Sequence, residues 1–310
     1  MAIDKDRERV EGLYTAHRIF ELRLDPVRGS FDAEHLREIN RRIFQDLPGQ
    51  GFADVTPGEY RKPVQAGKDW YKARPLEGRG VTSFVTYSAM DKKARDELDS
   101  TLKGINPVAL GKLKTPAFTE AIGQLYTKLD YLHPFPDGNS RTLRVFTEQL
   151  ANAAGYELDW ARFGRSEAGR NVLYVARDLS VNRLALQHIR GDDTRLQVTF
   201  TLDQFDGSRD LPDLLRDSVR PLRAKAFERL SEQDALKEYP ELKPAYETLR
   251  QAIDYSITKF PGKADARQQF QENIRGVILD LLDAGETKDF KNKEHVAART
   301  KQPPSPSRSR

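Results

Sequence analysis

Residues 133–144 read His-Pro-Phe-Pro-Asp-Gly-Asn-Ser-Arg-Thr-Leu-Arg, a mixture that no single packing demand explains. Gly138 can take a positive φ and leaves no Cβ between the backbone and an anion. A helix starting near Asn139 would point its first unsatisfied N–H groups, and the positive end of its dipole, at the same place. Arg141 and Arg144 stand one helical turn apart, so both guanidinium forks can face one anion. Asp137 puts a carboxylate beside that anion, and Mg²⁺ commonly bridges a carboxylate to phosphate oxygens. His133, at the edge of the site, is suited to take a proton from a hydroxyl. These residues together specify a magnesium nucleotide held by its phosphates with a base nearby, which is a site for phosphoryl or nucleotidyl transfer.

The neighbouring elements must hold this loop rigidly. His133 and Phe135 each precede a proline, which pushes both out of the α region and makes residues 133–138 a stiff connection. Residues 116–132 read as a helix with Ile122, Leu125, Leu129 and Leu132 on one stripe. Beyond the loop, Leu143, Phe146, Leu150 and Ala153 share a face from an Asn139 N-cap to a stop at Gly155. Residues 30–47 form another helix, with Leu36, Ile39, Ile43, Phe44 and Leu47 inward and Ser30 or Asp32 as cap. Gly and Pro punctuate 48–80 too often for a long element, whereas VTSFVTYSAM (81–90) predicts a short strand or hairpin. Residues 91–103 and 165–191 are helical in pattern, and VTFTL (198–202) is a candidate short strand. Past a boundary near LDQFDGSRDLPD, three amphipathic stretches, 214–230, 245–260 and 266–285, predict a small helical bundle.

Composition narrows the function classes. The 310 residues contain no cysteine, which removes disulfides, thiolate zinc sites and a cysteine nucleophile. The net charge of +4 equals the four bases Arg299, Lys301, Arg308 and Arg310 of an acid-free end, so the body is electrically balanced. Balance of that kind argues against a wide footprint for duplex DNA, and no direct sign of nucleic-acid binding is present. The end itself, RTKQPPSPSRSR, has a disordered composition. No run reaches the roughly 18 apolar residues of a membrane span, and the N-terminus lacks the apolar centre of a signal peptide. The expectation is a protein made in the cytosol and not membrane-bound, with delivery into a target cell as the alternative.

HPFPDGNSRTLR resembles the signature of Fic-domain proteins, His-x-Phe-x-(Asp/Glu)-Gly-Asn-Gly-Arg-x-x-Arg, at every specified position but one. The resemblance extends loosely over residues 10–190. It implies an all-α fold with a short β-hairpin flap in residues 1–206 (core about 30–190); periodicity and composition add a C-terminal helical domain (207–286) and a basic tail (287–310). It also implies a protein adenylyltransferase, of the toxin or secreted-effector kind, moving AMP from ATP to a Ser, Thr or Tyr hydroxyl of a target protein. In that reading His133 is the base and Asp137 holds Mg²⁺. Gly138, Asn139, Ser140, Arg141 and Arg144 bind the nucleotide's phosphates, and Phe135 anchors the loop. Ser83, Phe84, Val85 and Thr86 are the candidate flap that docks the target by strand addition. Ser140 departs from the usual glycine. Members acting as kinases carry lysine there, which this chain lacks, so AMP transfer is favoured; transfer of the γ-phosphate or another phosphate-linked group, and a degenerate binding module, stay open. Family members are often restrained by (Ser/Thr)-x-x-x-Glu-(Gly/Asn). Glu11-Gly12, Glu77-Gly78 and Glu272-Asn273 all lack the hydroxyl residue four positions earlier, which leaves either an antitoxin-like inhibitor acting in trans or a delivered effector with no inhibitor in its own chain.

Overall fold

A computed structural model describes residues 5–76, 78, 80–288 and 290. The basic tail expected from residue 287 falls almost wholly outside the described residues. Chain contacts define two compact units, Met1–Gly111 with Phe118–Val219, and Lys112–Ala117 with the residues from Arg220 onward.

The first unit is helical apart from short strands, as the all-α expectation required. Helix α1 spans Lys5–Leu24 and α2 spans Ala33–Phe44. Asp32 opens α2 by accepting a hydrogen bond from His35 N at 2.9 Å, and the stripe Leu36, Ile39, Ile43 and Phe44 is buried. Helix α3 (Lys92–Lys103) follows a cap at Asp91, and α4 (Thr115–Leu132) leads into the motif loop. The motif helix α5 covers Asn139–Ala153 and packs against α2. Leu143, Phe146 and Leu150 are completely buried, and each such side chain contributes about 1.5–3 kcal/mol. Helices α6 (Glu167–Ala185, capped by Ser166) and α7 (Asp192–Gln204) complete the unit's frame.

A hairpin lies over the motif loop. Strand β1 (Trp70–Leu76) pairs antiparallel with β2 (Val81–Tyr87), in register from Trp70 opposite Tyr87 to Leu76 opposite Val81. Of the two, the sequence predicts only β2. In β1 the inward positions Trp70, Lys72 and Arg74 include two cations and the outward ones are Tyr71, Ala73 and Pro75, so the apolar alternation that marks a half-buried strand is missing. VTFTL, expected as a strand, is the middle of α7, where Val198 and Thr201 are buried. The β-branched run yields there to packing against β2 and α6.

In the second unit, α8 (Leu222–Arg229), α9 (Lys243–Lys259) and α10 (Ala264–Asp283) enclose Phe227, Leu242, Tyr246, Ile278 and Leu282. The stretch 214–230, expected as one helix, is broken: Leu214 and Leu215 end a short helix (Leu211–Leu215), and the second helix starts at Leu222 after the extended segment Val219–Pro221. No helix among the described residues is long and apolar enough to cross a membrane.

Candidate functional site

The motif loop is strained and firmly held. His133 has φ +46°, a left-handed conformation that costs a bulky residue about 1–3 kcal/mol. Arg61 compensates: its Nε donates to His133 O at 2.7 Å, its Nη2 to Ser88 O at 2.6 Å, and its backbone N–H to Pro134 O at 2.8 Å. Its guanidinium also lies over the Trp70 ring at 4.1 Å. Phe135 is fully buried and anchors the loop as expected. Arg61 sits in the Gly/Pro-punctuated stretch and carries no spacing that would have marked it.

The imidazole is enclosed by the hairpin. Tyr87 stacks obliquely on it at 3.8 Å and Trp70 meets it edge-on at 5.1 Å. His133 Nδ1 lies 3.2 Å from the carbonyl oxygen of Asp130, which can only accept, so Nδ1 carries the proton and Nε2 keeps its lone pair. Burial pushes the pKa of His133 down to about 4, with Asp130 opposing and the Lys72 and Arg61 charges adding to the shift. At neutral pH the ring is therefore uncharged. Lys72 of β1 points its Nζ at Nε2 from 3.4 Å, a neighbour that sequence reading missed because β1 was not foreseen.

The candidate anion site lies at the start of α5. Gly138, with φ +72°, is the N-cap in place of Asn139, and Thr142 N–H makes the first bond back to its carbonyl. The N–H groups of Asn139, Ser140 and Arg141 precede that bond and have no partner inside the helix. The Asn139 side chain is committed elsewhere, since its Oδ1 accepts from Phe135 N at 3.0 Å and its Nδ2 donates to Phe135 O at 2.7 Å. Only its backbone is left for a phosphate. The positive φ expected of the glycine is present, and a further reason requires it: a Cβ at Gly138 would stand 1.9 Å from Cζ of Phe44. Gly138→Ala is accordingly expected to lose about 2–4 kcal/mol of stability, seen as a lowered thermal midpoint before any ligand is added.

The arginines differ in their surroundings. Arg144 is partly buried, its Nε donates to Ser140 O at 3.2 Å, and no carboxylate among the described residues pairs with it. Burial lowers its pKa from the usual arginine value, as expected of a cation lacking its anion. Arg141 is already engaged. It lies over the Phe44 ring at 4.9 Å, its Nη1 donates to Thr15 Oγ1 at 3.1 Å, and its Nη2 is paired with Glu11. Glu11-Gly12 fails the inhibitory spacing, yet the fold brings the Glu11 carboxylate onto the first motif arginine. That contact joins α1 to α5 across a separation no local pattern encodes. Ser140 Oγ receives Arg177 Nη1 at 3.0 Å, and Arg177 grips Asp130 through Nε and Nη2.

Asp137 is exposed and accepts from Gly138 N at 2.6 Å, its only hydrogen bond among the described residues. No group of three or more metal-ligating side chains occurs among the described residues. A cation at Asp137 would therefore need ligand oxygens to complete its shell.

The hairpin corrects the candidate docking segment. Ser83, Phe84, Val85 and Thr86 form the inner strand, whose outward groups are taken: Phe84 N donates to Thr201, Phe84 O accepts from Asn182, and Thr86 N donates to Asn182. Ser83 Oγ donates to Asp178. Since residues 84 and 86 face away from β1, the register makes their partners Ala73 and Tyr71 face away from β2. The edge open to an added strand is thus β1, where Pro75, lacking an N–H, is a natural edge residue.

Residues 30–151 match the sequence model of the Fic/DOC family. The chain is 32% identical over 163 residues to the protein adenylyltransferase VbhT of Bartonella schoenbuchensis, covering 53% of this chain and 30% of that protein. It is 29% identical over 149 residues to a protein adenylyltransferase of Bartonella henselae, covering 47% and 26%. The match spans about a third or less of the length of these curated relatives. Among solved structures, the N-terminal Fic domain of a VirB-translocated Bep effector protein from Bartonella quintana superposes with a TM-score of 0.45 at 22% identity, covering 71% of this chain and 88% of that one.

Proposed function

Residues 30–151 form a Fic/DOC family domain, and from that premise we propose that the protein is a protein adenylyltransferase, transferring AMP from ATP to a hydroxyl side chain of another protein. What supports this reading is a His133 that burial keeps neutral, in the loop leading to the first N–H groups of α5, with an Arg144 guanidinium that no carboxylate among the described residues pairs. The N–H groups of Asn139, Ser140 and Arg141 and the guanidinium of Arg144 hold the phosphates. Arg141 joins them when Glu11 yields. The target segment pairs with the outward backbone of Tyr71 and Ala73 on β1, which brings its hydroxyl under Trp70 and Tyr87 to His133. Nε2 takes the hydroxyl proton, the oxygen attacks the α-phosphate, and pyrophosphate leaves. Asp137, with one oxygen open, would hold Mg²⁺ together with phosphate oxygens, and the ion when bound neutralises charge on the leaving group.

The test is label transfer in a cell extract with Mg²⁺, using ATP labelled at the α- or the γ-phosphate in parallel, for the wild type and for Glu11→Ala. Label on a protein band from α-labelled ATP alone is the expected result. Label from γ-labelled ATP alone would replace the reading with a kinase, and none from either would leave a nucleotide-binding module.

A further inference from the structure

Arg177 is 2% exposed, lies outside the motif, and connects two parts of the site that the motif does not join. Its Nε and Nη2 donate to Asp130 at 3.1, 3.0 and 2.8 Å, and its Nη1 donates to Ser140 Oγ at 3.0 Å. Asp130, 1% exposed, sits one turn before the base, with Oδ1 3.6 Å and its backbone O 3.2 Å from His133 Nδ1. A run of contacts therefore leads from the first turn of the anion-binding helix, through Ser140, Arg177 and Asp130, to the imidazole face opposite the reacting nitrogen. Ser140, the one departure from the motif, is the residue that anchors it.

From this geometry we infer that Arg177 is a positioning residue, which neutralises Asp130 and ties it to the phosphate-binding turn so that His133 presents its Nε2 lone pair to the target hydroxyl. The inference rests on the proposed transfer reaction. An unpaired carboxylate this close to Nδ1 would favour imidazolium, which cannot accept a proton; a carboxylate absent altogether would leave the imidazolium of the transition state without support. Burial works to raise the pKa of Asp130, but Arg177 and His133 outweigh it and hold the carboxyl well below its usual range. The other groups facing the ring are Lys72 on β1, Tyr87 on β2 and Arg61 on the preceding loop. Among the described residues, Asp130 is the group that hydrogen-bonds and pairs with Nδ1, so the Asp130–Arg177 pair acts from that side.

The experiment is a ¹⁵N NMR titration of the histidine side chains in the full chain, with His133 assigned through His133→Ala, alongside the pH dependence of label transfer. In Arg177→Gln the titration midpoint of His133 is expected to rise by about one unit or more, and the acid limb of kcat/KM to move with it. An unmoved midpoint in a folded Arg177→Gln protein would overturn the inference. The double variant Asp130→Asn/Arg177→Gln, which keeps a neutral pair in the same space, carries the test where the single variant does not fold. There the midpoint is expected to stay low while kcat falls about tenfold at nearly constant KM for ATP; an unchanged kcat would overturn the inference. A midpoint that moves as stated in a protein that transfers no label in any form would sink the proposed function and leave the electrostatic role of Arg177 standing.

Discussion

Replacement of His133 by alanine is expected to lower AMP transfer by about 10²- to 10⁴-fold, the usual range for loss of a positioned general base. Affinity for ATP should stay within about twofold, because in the proposed complex the phosphate contacts come from α5 and the arginines and not from the imidazole. The pH profile gives the same prediction a second face. With the pKa of His133 near 4, the neutral ring predominates above that value and is lost only as pH falls through it. The kcat/KM of the wild type should therefore show no loss attributable to His133 between pH 8 and about 5, whereas a base with an ordinary histidine pKa would be half protonated near pH 6.5. Initial rates across that interval decide the matter: a midpoint near 6.5 would mean that the base is not the enclosed His133.

Glu11→Ala is expected to act in the opposite direction. Arg141 cannot serve a phosphate and the Glu11 carboxylate with the same Nη2, so bound ATP must displace a charge-assisted pair that contributes about 1.5–3 kcal/mol. Removing the carboxylate should tighten ATP binding by roughly tenfold or more, measured by calorimetry. The pair is part-buried, with side-chain exposures of 24% and 18%, so salt should screen it only partly. Glu8→Ala, an exposed change on the same helix, is the control. Arg7–Asp54 and Arg18–Asp46 still fasten α1 in the variant. Equal affinities for Glu11→Ala and the wild type would mean that Arg141 plays no part in holding the nucleotide.

What could be read from the sequence divides along physical lines. The helices around the motif were legible because their apolar stripes recur at helical spacing and their ends carry Asp32, Pro134 and Gly155. Residues 133–144 were legible as a candidate group because a loop and the turn after it keep them close along the chain. Arg61, Lys72 and Arg177 were not, since each reaches the site through tertiary contacts; Asp130, though one turn from His133, was not, because a buried charge leaves no periodic mark. Strand β1 stayed hidden because its inward face serves a polar site. The role of Gly138 was right in conformation and incomplete in cause: the positive φ was foreseeable, but the Phe44 ring filling the space of its Cβ belongs to a helix more than 90 residues earlier.

The open edge of the hairpin has a consequence for how targets would be chosen. Only Tyr71 and Ala73 turn both an N–H and a C=O outward, with the Pro75 carbonyl beyond them. Four hydrogen bonds of the usual net worth, about 0.5–1.5 kcal/mol each, amount to an encounter near the millimolar range. Such a grip reads main chain and is indifferent to the side chains on either side of the hydroxyl. Selectivity would then depend on which proteins can offer an extended, unpaired segment at their surface, so that the geometry of the target's backbone, more than any consensus around the modified residue, would define the substrate.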